Sequence, residues 1–249
     1  MPVISYIDAV TMAIREEMER DEKVFVLGED VGKKGGVFKA THGLYDQFGE
    51  DRVIDTPLAE SAIAGVGIGA AMYGMRPIAE MQFADFIMPA VNQIISEASR
   101  IRYRSNNDWS CPMVIRAPYG GGVHGALYHS QSVEAVFANQ PGLKIVMPST
   151  PYDVKGLLKA AIRDEDPVLF FEHKRAYRLI KGEVPDDDYT LPIGKADVKR
   201  EGEDITVITY GLCVHFALQA AEVKQAWLLG RVKNAHLESH ALPARYFSQ

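Results

Sequence analysis

Short β-rich runs alternate with segments of helical spacing along most of the chain. The runs Val24–Leu27, Arg52–Ile54, Pro77–Met81, Met113–Arg116, Lys144–Met147, Val168–Phe171 and Ile205–Thr209 predict strands. Between them the spacing predicts helices over Ser5–Arg20, Leu58–Tyr73, Asp85–Arg104, Ser132–Ala138, Pro151–Arg163 and His215–Glu222. Several strand runs, VLFF and ITVIT among them, are continuously apolar, as expected of strands covered on both faces. The alternation predicts an α/β fold: a parallel sheet with helices on both faces.

The stretch 173–204 breaks this rhythm. It is charged, punctuated by Pro and Gly, and carries the acidic run Asp186–Asp188. It reads as a linker with room for a short hairpin. The linker joins an α/β domain over 1–172 to the start of a second α/β domain over 205–249.

Composition narrows the classes. With 249 residues, 47% hydrophobic and 24% charged, the chain has globular proportions and length enough for a real core. Its longest small, uncharged run, Ser61–Met75, has 15 residues, short of the roughly 20 that span a bilayer. The N-terminal residues show no basic-then-apolar signal pattern. Cys111 and Cys213 fit neither a metal spacing nor a disulfide framework. A soluble, cytoplasmic protein is expected. Residues 1–222 hold 23 basic and 32 acidic side chains, a balance of −9, whereas 223–249 hold four and one, or +3. An acidic body argues against a nucleic-acid footprint, which needs clustered positive charge.

Gly65-Val66-Gly67-Ile68-Gly69-Ala70 satisfies G-x-G-x-x-A, but a dinucleotide fingerprint follows a strand and opens a helix. These glycines lie inside a helical run that starts after Asp55-Thr56-Pro57, where each costs roughly 1 kcal/mol against alanine. Close packing through Ala62, Gly65, Gly69 and Tyr73 accounts for them better. Glu60, in the first turn of that helix, has two readings. It is a first-turn acid favoured by the helix dipole, or a carboxyl at a buried interface tuned for acid–base work.

The loop Tyr119-Gly120-Gly121-Gly122-Val123-His124-Gly125, followed by His129-Ser130-Gln131, leaves the C-terminal end of a predicted strand. Open α/β sheets place ligands there, and histidine is well poised for proton transfer; a flexible turn explains the same residues. Gln82, at another strand end, is a weaker contact candidate, with Phe83 and Phe86 beside it as expected core. The acids Asp164–Asp166 after a helix end are either solvated or, with nearby carbonyls, able to hold a hard cation.

The residues then take on a specific resemblance. VFVLGEDVGKKGGVFKAT (24–41), DTPLAESAIAGVGIGAAMYGMRPIAEMQFADFI (55–87), IRAPYGGGVHGALYHSQSVEAVFANQPGLKIVMPSTPYDVKGLL (115–158), RDEDPVLFFEHKRAYR (163–178) and ITVITYG (205–211) carry it. From about Met1 to Glu222 the chain resembles the beta subunits of thiamine-diphosphate-dependent 2-oxoacid dehydrogenase components, in their branched-chain bacterial form. The resemblance implies a heterotetramer of two alpha and two beta subunits with the cofactor between them. Alpha holds the diphosphate and Mg²⁺; beta holds the aminopyrimidine. The chain has no GDG…NN motif for the diphosphate, and its nearest string is Gly28-Glu29-Asp30.

By the same resemblance Glu60 hydrogen-bonds the pyrimidine ring nitrogen, while Leu58, Gln82 and Phe86 line the pyrimidine and substrate cavity. His129 handles protons as the acyl group moves to lipoamide, and Ala161, Asp164 and Asp166 match a structural potassium loop. The implied reaction is decarboxylation of the 2-oxoacids of valine, leucine and isoleucine, followed by acyl transfer to a lipoyl arm on an acyltransferase core. Alternatives are the pyruvate or acetoin form of the component, or an inactive remnant that does not assemble. After Glu222 the family pattern stops, and the expectation is a frame-shifted or truncated C-terminus. With only a strand and helix from the second domain, exposed apolar surface and weakened assembly are expected.

Overall fold

The structure is a computed structural model, describing residues 1–203, 205–227 and 235–239. The elements of the first half are β1 (Val3–Ser5), α1 (Tyr6–Arg20), β2 (Val24–Gly28), α2 (Leu44–Phe48), β3 (Val53–Asp55), α3 (Glu60–Met72), β4 (Arg76–Glu80), α4 (Ile101–Arg104) and β5 (Val114–Tyr119). There follow α5 (Glu134–Phe137), β6 (Lys144–Val146), α6 (Pro151–Arg163), β7 (Val168–His173), α7 (Ala176–Leu179), β8 (Lys181–Glu183), β9 (Asp197–Arg200), β10 (Ile205–Ile208), α8 (Cys213–Trp227) and β11 (Ala235–Ser239).

Six strands form one sheet in the order β3-β2-β4-β5-β7-β6, every neighbouring pair parallel. Successive residues of a strand point to opposite faces, and here both faces are buried. Val24, Val26, Val114, Val168 and Phe170 join the core under α1 and α6. Phe25, Leu27, Ile115, Leu169 and Phe171 join the core under α3 and the 84–104 segment. That two-sided burial is why VLFF is continuously apolar; ITVIT, in β10, is not covered in this way, and Ile205 and Ile208 are exposed.

The long helices start where the sequence punctuates them. Ser5 caps α1, accepting from the Asp8 N–H while the Asp8 carboxylate reaches back to the Ser5 N–H; Thr150 and Asp153 do the same for α6. Among the described residues no helix is long and apolar enough to cross a membrane.

Three sequence expectations change. The helix read over Asp85–Arg104 is instead a succession of 3-10 turns (Ala84–Phe86, Met88–Ala90 and Ala98–Arg100), a π turn (Gln93–Glu97) and the short α4. Pro89, without an N–H to donate, sits in the second of these turns. The linker holds no hairpin between its own strands: β8 pairs antiparallel with β1, and β9 with β11. The small-residue face Ala62, Gly65, Gly69 and Tyr73 is exposed, and the close approach belongs to Gly67, whose missing Cβ leaves room for Met113 Cε.

The segment after β10 docks on the main sheet's end. Leu212 and Val214 are buried, the Gly211 N–H donates to Met147 O (3.3 Å), and His215 Nε2 lies 2.7 Å from Ser149 O. Ile205, Ile208 and Phe216 are exposed.

Candidate active site at the carboxyl edge of the sheet

All six strands being parallel, their C-terminal ends share one edge. Glu29 follows β2, Glu60 follows β3, Gln82 to Phe86 follow β4, and His129 follows β5. These four strands are consecutive in the order β3-β2-β4-β5, so the residues sit side by side at one rim. This is the usual ligand-binding edge of an open α/β sheet.

Glu60 is the first residue of α3, whose cap residue Ala59 offers no side-chain acceptor. The side chain is buried, with 8% of the residue exposed, yet its carboxyl makes no hydrogen bond or ion pair among the described residues. Its oxygens are not among the buried atoms without a partner, so the carboxyl meets solvent at the rim and is open to a ligand entering there. Glu29 stands beside it. Burial pushes the Glu29 carboxyl above its ordinary range, and the nearby Asp30 and Glu60 carboxylates push it further; Gln82, within hydrogen-bonding reach, pulls the other way. A carboxyl free of protein partners, with a second acid and an amide nearby, fits the ring nitrogen of an aminopyrimidine.

The second half of the rim is aromatic. The imidazole of His129 meets Phe83 edge-on with ring centres 4.6 Å apart, and Phe86 at 5.5 Å. Its Nδ1 is 3.0 Å from the Gly125 carbonyl oxygen. A carbonyl only accepts, so Nδ1 carries a proton, and in the neutral ring Nε2 keeps the lone pair. The loop before His129 is strained: His124 and Ala126 take φ of 58° and 55°. Gly120, at φ 84°, packs against the His173 ring with no room for a Cβ. Burial holds the His173 imidazole down at about 4, with Lys174 and Arg175 adding to the effect, so that ring is neutral packing.

Leu58 lies on the approach to α3 with 70% of its surface exposed. Thus Glu60 and Gln82 gather around Glu29, and Phe86 gathers with His129 around Phe83. Sequence reading had missed Glu29, whose signal is an acid directly after a strand, and had taken Phe83 for plain core.

Ala161, in the last turn of α6, and Asp164 and Asp166, between α6 and β7, lie elsewhere, at the opposite edge of the sheet. The Asp164 carboxylate accepts both 2.7 and 2.8 Å bonds from Lys144 Nζ, and Arg102 Nε donates to Asp166 at 2.6 Å. Arg76 donates to the carbonyls of Ile162 and Asp164, each at 3.1 Å, and Ala161 O accepts from the Asp164 N–H. No cluster of three or more His, Cys, Asp or Glu able to hold a metal occurs among the described residues. Lys144 and Arg102 occupy the two carboxylates, so a potassium ion here would rest on the loop's carbonyl oxygens, of which that of Asp164 already accepts from Arg76.

Comparison with known proteins gives the family. Residues 3–180 match the transketolase pyrimidine-binding domain family, and residues 194–226 the transketolase C-terminal domain. The chain belongs to this family, in its branch of 2-oxoacid dehydrogenase beta subunits. It is 89% identical over 222 residues to the 2-oxoisovalerate dehydrogenase subunit beta of Bacillus subtilis (strain 168), covering 89% of this chain and 68% of that one. Over the same length it is 53% identical to the pyruvate dehydrogenase E1 component subunit beta of that organism, again 89% of this chain and 68% of the relative. Among solved structures, a split gene transketolase in an inactive beta4 tetramer superposes with a TM-score of 0.71 at 24% identity, over 95% of this chain and 70% of that one. The 222 aligned residues equal the length from Met1 to Glu222 over which the sequence alone showed the resemblance.

Proposed function

We propose that the chain is the beta subunit of a thiamine-diphosphate-dependent dehydrogenase of branched-chain 2-oxoacids, acting with an alpha subunit in the cytoplasm. Bound thiamine diphosphate would supply the electron sink that stabilises the carbanion left when a 2-oxoacid loses CO₂. This chain's share is to bind, orient and move protons. Glu60 holds a proton on the pyrimidine ring nitrogen, with the Glu29 carboxyl and the Gln82 amide beside it. Leu58 and Phe86 flank the ring and the 2-oxoacid side chain. His129, with Nδ1 tied to Gly125, presents Nε2 for proton exchange as the acyl group passes to a lipoyl arm on an acyltransferase core. Mg²⁺ and the diphosphate belong to alpha, in an alpha2beta2 assembly.

The place of Glu60 carries this assignment: a carboxyl on a largely buried residue at the carboxyl edge of the sheet, with no protein partner among the described residues and its oxygens open to a ligand. Branched-chain substrates are favoured over pyruvate by 89% against 53% identity to the respective relatives. The test is decarboxylation by this chain co-purified with its alpha subunit, with thiamine diphosphate, Mg²⁺ and a dye acceptor. Turnover of 3-methyl-2-oxobutanoate above pyruvate, abolished by Glu60→Ala, is expected. Preference for pyruvate would move the substrate assignment, and failure of alpha to co-purify would make the chain a non-assembling remnant.

A further inference from the structure

Asp85 was read from sequence only as the start of a helix, yet its place in the structure is unusual. It follows β4 within the Ala84–Phe86 turn and its side chain is almost wholly buried. Oδ1 accepts from two consecutive backbone N–H groups, Ser130 and Gln131, each at 3.0 Å. Those are the two residues that follow His129. Oδ2 is buried and has no hydrogen-bond partner. The nearest cation, Lys174 Nζ, stands 3.7 Å away, fully buried, and makes a long 3.4 Å bond to Pro118 O while lying 5.3 Å above the Phe83 ring. A buried carboxylate with one oxygen unsatisfied is poorly arranged as a stabilising ion pair. It is well arranged as a clamp, since two parallel N–H groups on one anionic oxygen fix the direction of the backbone that bears them.

We propose that Asp85 is the positioning residue for His129: by anchoring the Ser130 and Gln131 amides it holds the imidazole against Phe83 with Nδ1 on Gly125 and Nε2 free. The strained residues His124 and Ala126 lie on the other side of His129, so the loop is pulled toward relaxation there and pinned here. Lys174 balances the clamp's charge from beneath without occupying Oδ1. Asp85, with its side chain buried under the loop, acts through His129. Its importance for turnover rests on the proton-handling role of His129 proposed above.

Two measurements test it separately. In the full chain labelled with ¹⁵N-histidine, at a pH where the ring is neutral, the ring-nitrogen shifts of His129 report which nitrogen bears the proton; the signal is assigned by its loss in His129→Ala. The wild type is expected to show the Nδ1–H form, and Asp85→Ala a mixture of both forms. Asp85→Asn, which keeps a side chain of the same size, is expected to move the signal in the same direction by less, and serves if the alanine variant does not fold. Unchanged His129 shifts in a folded Asp85 variant would overturn the proposal. In the alpha–beta complex, Asp85→Ala is expected to slow acyl transfer to a lipoyl domain by about tenfold or more in the His129 background. In the His129→Ala background the same change is expected to cost less than about twofold. Equal losses in both backgrounds would make Asp85 a structural residue only and overturn the proposal. If His129→Ala itself leaves acyl transfer unchanged, the proton role of His129 fails, and the ring-nitrogen shifts alone decide whether Asp85 sets the imidazole.

Discussion

Gly125 and His129 fix one another: the glycine carbonyl lies 3.0 Å from the imidazole Nδ1, and a Cβ on the glycine would overlap the histidine Cβ. The tautomer of the ring and the identity of a residue four positions earlier are therefore one constraint. Gly125→Ala should displace the ring and slow acyl transfer by about tenfold or more, a loss of the size that small misplacements produce. Far-UV circular dichroism and the affinity for the alpha subunit should stay near wild type. A rate within twofold of wild type would show that the loop yields without cost.

Glu29 should trade stability for function. Its carboxyl is held above the ordinary value, so ionising it opposes folding: the penalty is absent below pH about 4.5 and complete once the pH exceeds the folded-state value. Glu29→Gln should therefore raise the melting temperature at pH 7 and leave it unchanged at pH 4. The same variant should weaken the pyrimidine site by removing the acid beside Glu60. Melting curves at the two pH values decide the first half.

Arg116 lies wholly buried between two strands. Its Nε and Nη2 donate to Glu172 at 2.6 Å each, its Nη1 donates to Glu80 at 2.5 Å, and Tyr177 donates to Glu172 at 2.6 Å. Burial pushes the Glu80 carboxyl up against the pull of Arg116. Arg116→Ala leaves two carboxylates without their cation and should lower stability by about 3–5 kcal/mol in denaturant titrations. Replacing all three charged residues with apolar ones of similar volume should cost far less.

Asp188 joins the acidic run of the 173–204 stretch to α6, pairing with Lys159 and Arg163 at 2.6 and 2.7 Å. Hydrogen bonds from those two cations hold its carboxyl at about 2, below the ordinary 3.8. The stabilisation is complete above pH 3.8 and lost as pH falls toward 2. Wild type and Asp188→Asn should then differ in melting temperature at pH 6 and converge near pH 2. A difference persisting at the lower pH would mean the residue acts through packing.

The sheet and its covering helices were legible because most strands are compact, largely apolar runs and two of the long helices, α1 and α6, carry side-chain caps at Ser5 and Thr150. Asp85–Arg104 was misread because its apolar spacing is helical, while the hydrogen bonding shifts from turn to turn around Pro89. Lys181–Glu183 gave no strand signal because its three residues are polar or glycine and its partner lies some 178 positions away. In the candidate site, Glu60 and His129 could be singled out by their places after strands and by resemblance. Asp85 and Lys174 could not, because what they do depends on contacts across 45 and 89 positions that no local pattern records.

The β1–β8 pairing has a topological consequence. Val3 faces Glu183 and Ser5 faces Lys181, and the ladder is extended by the Tyr6 N–H to Ile180 O at 2.9 Å and the Val184 N–H to Pro2 O at 3.0 Å. The two ends of the segment 2–184 are thus zipped side by side. A short Gly/Ser tether could join them, and the chain could be opened instead at the exposed turn around Asn106 and Asn107. Such a circular permutant would keep every strand in its order while separating the first unit from whatever follows it. The carboxyl-edge rim would then be carried by a piece of protein with no fixed beginning.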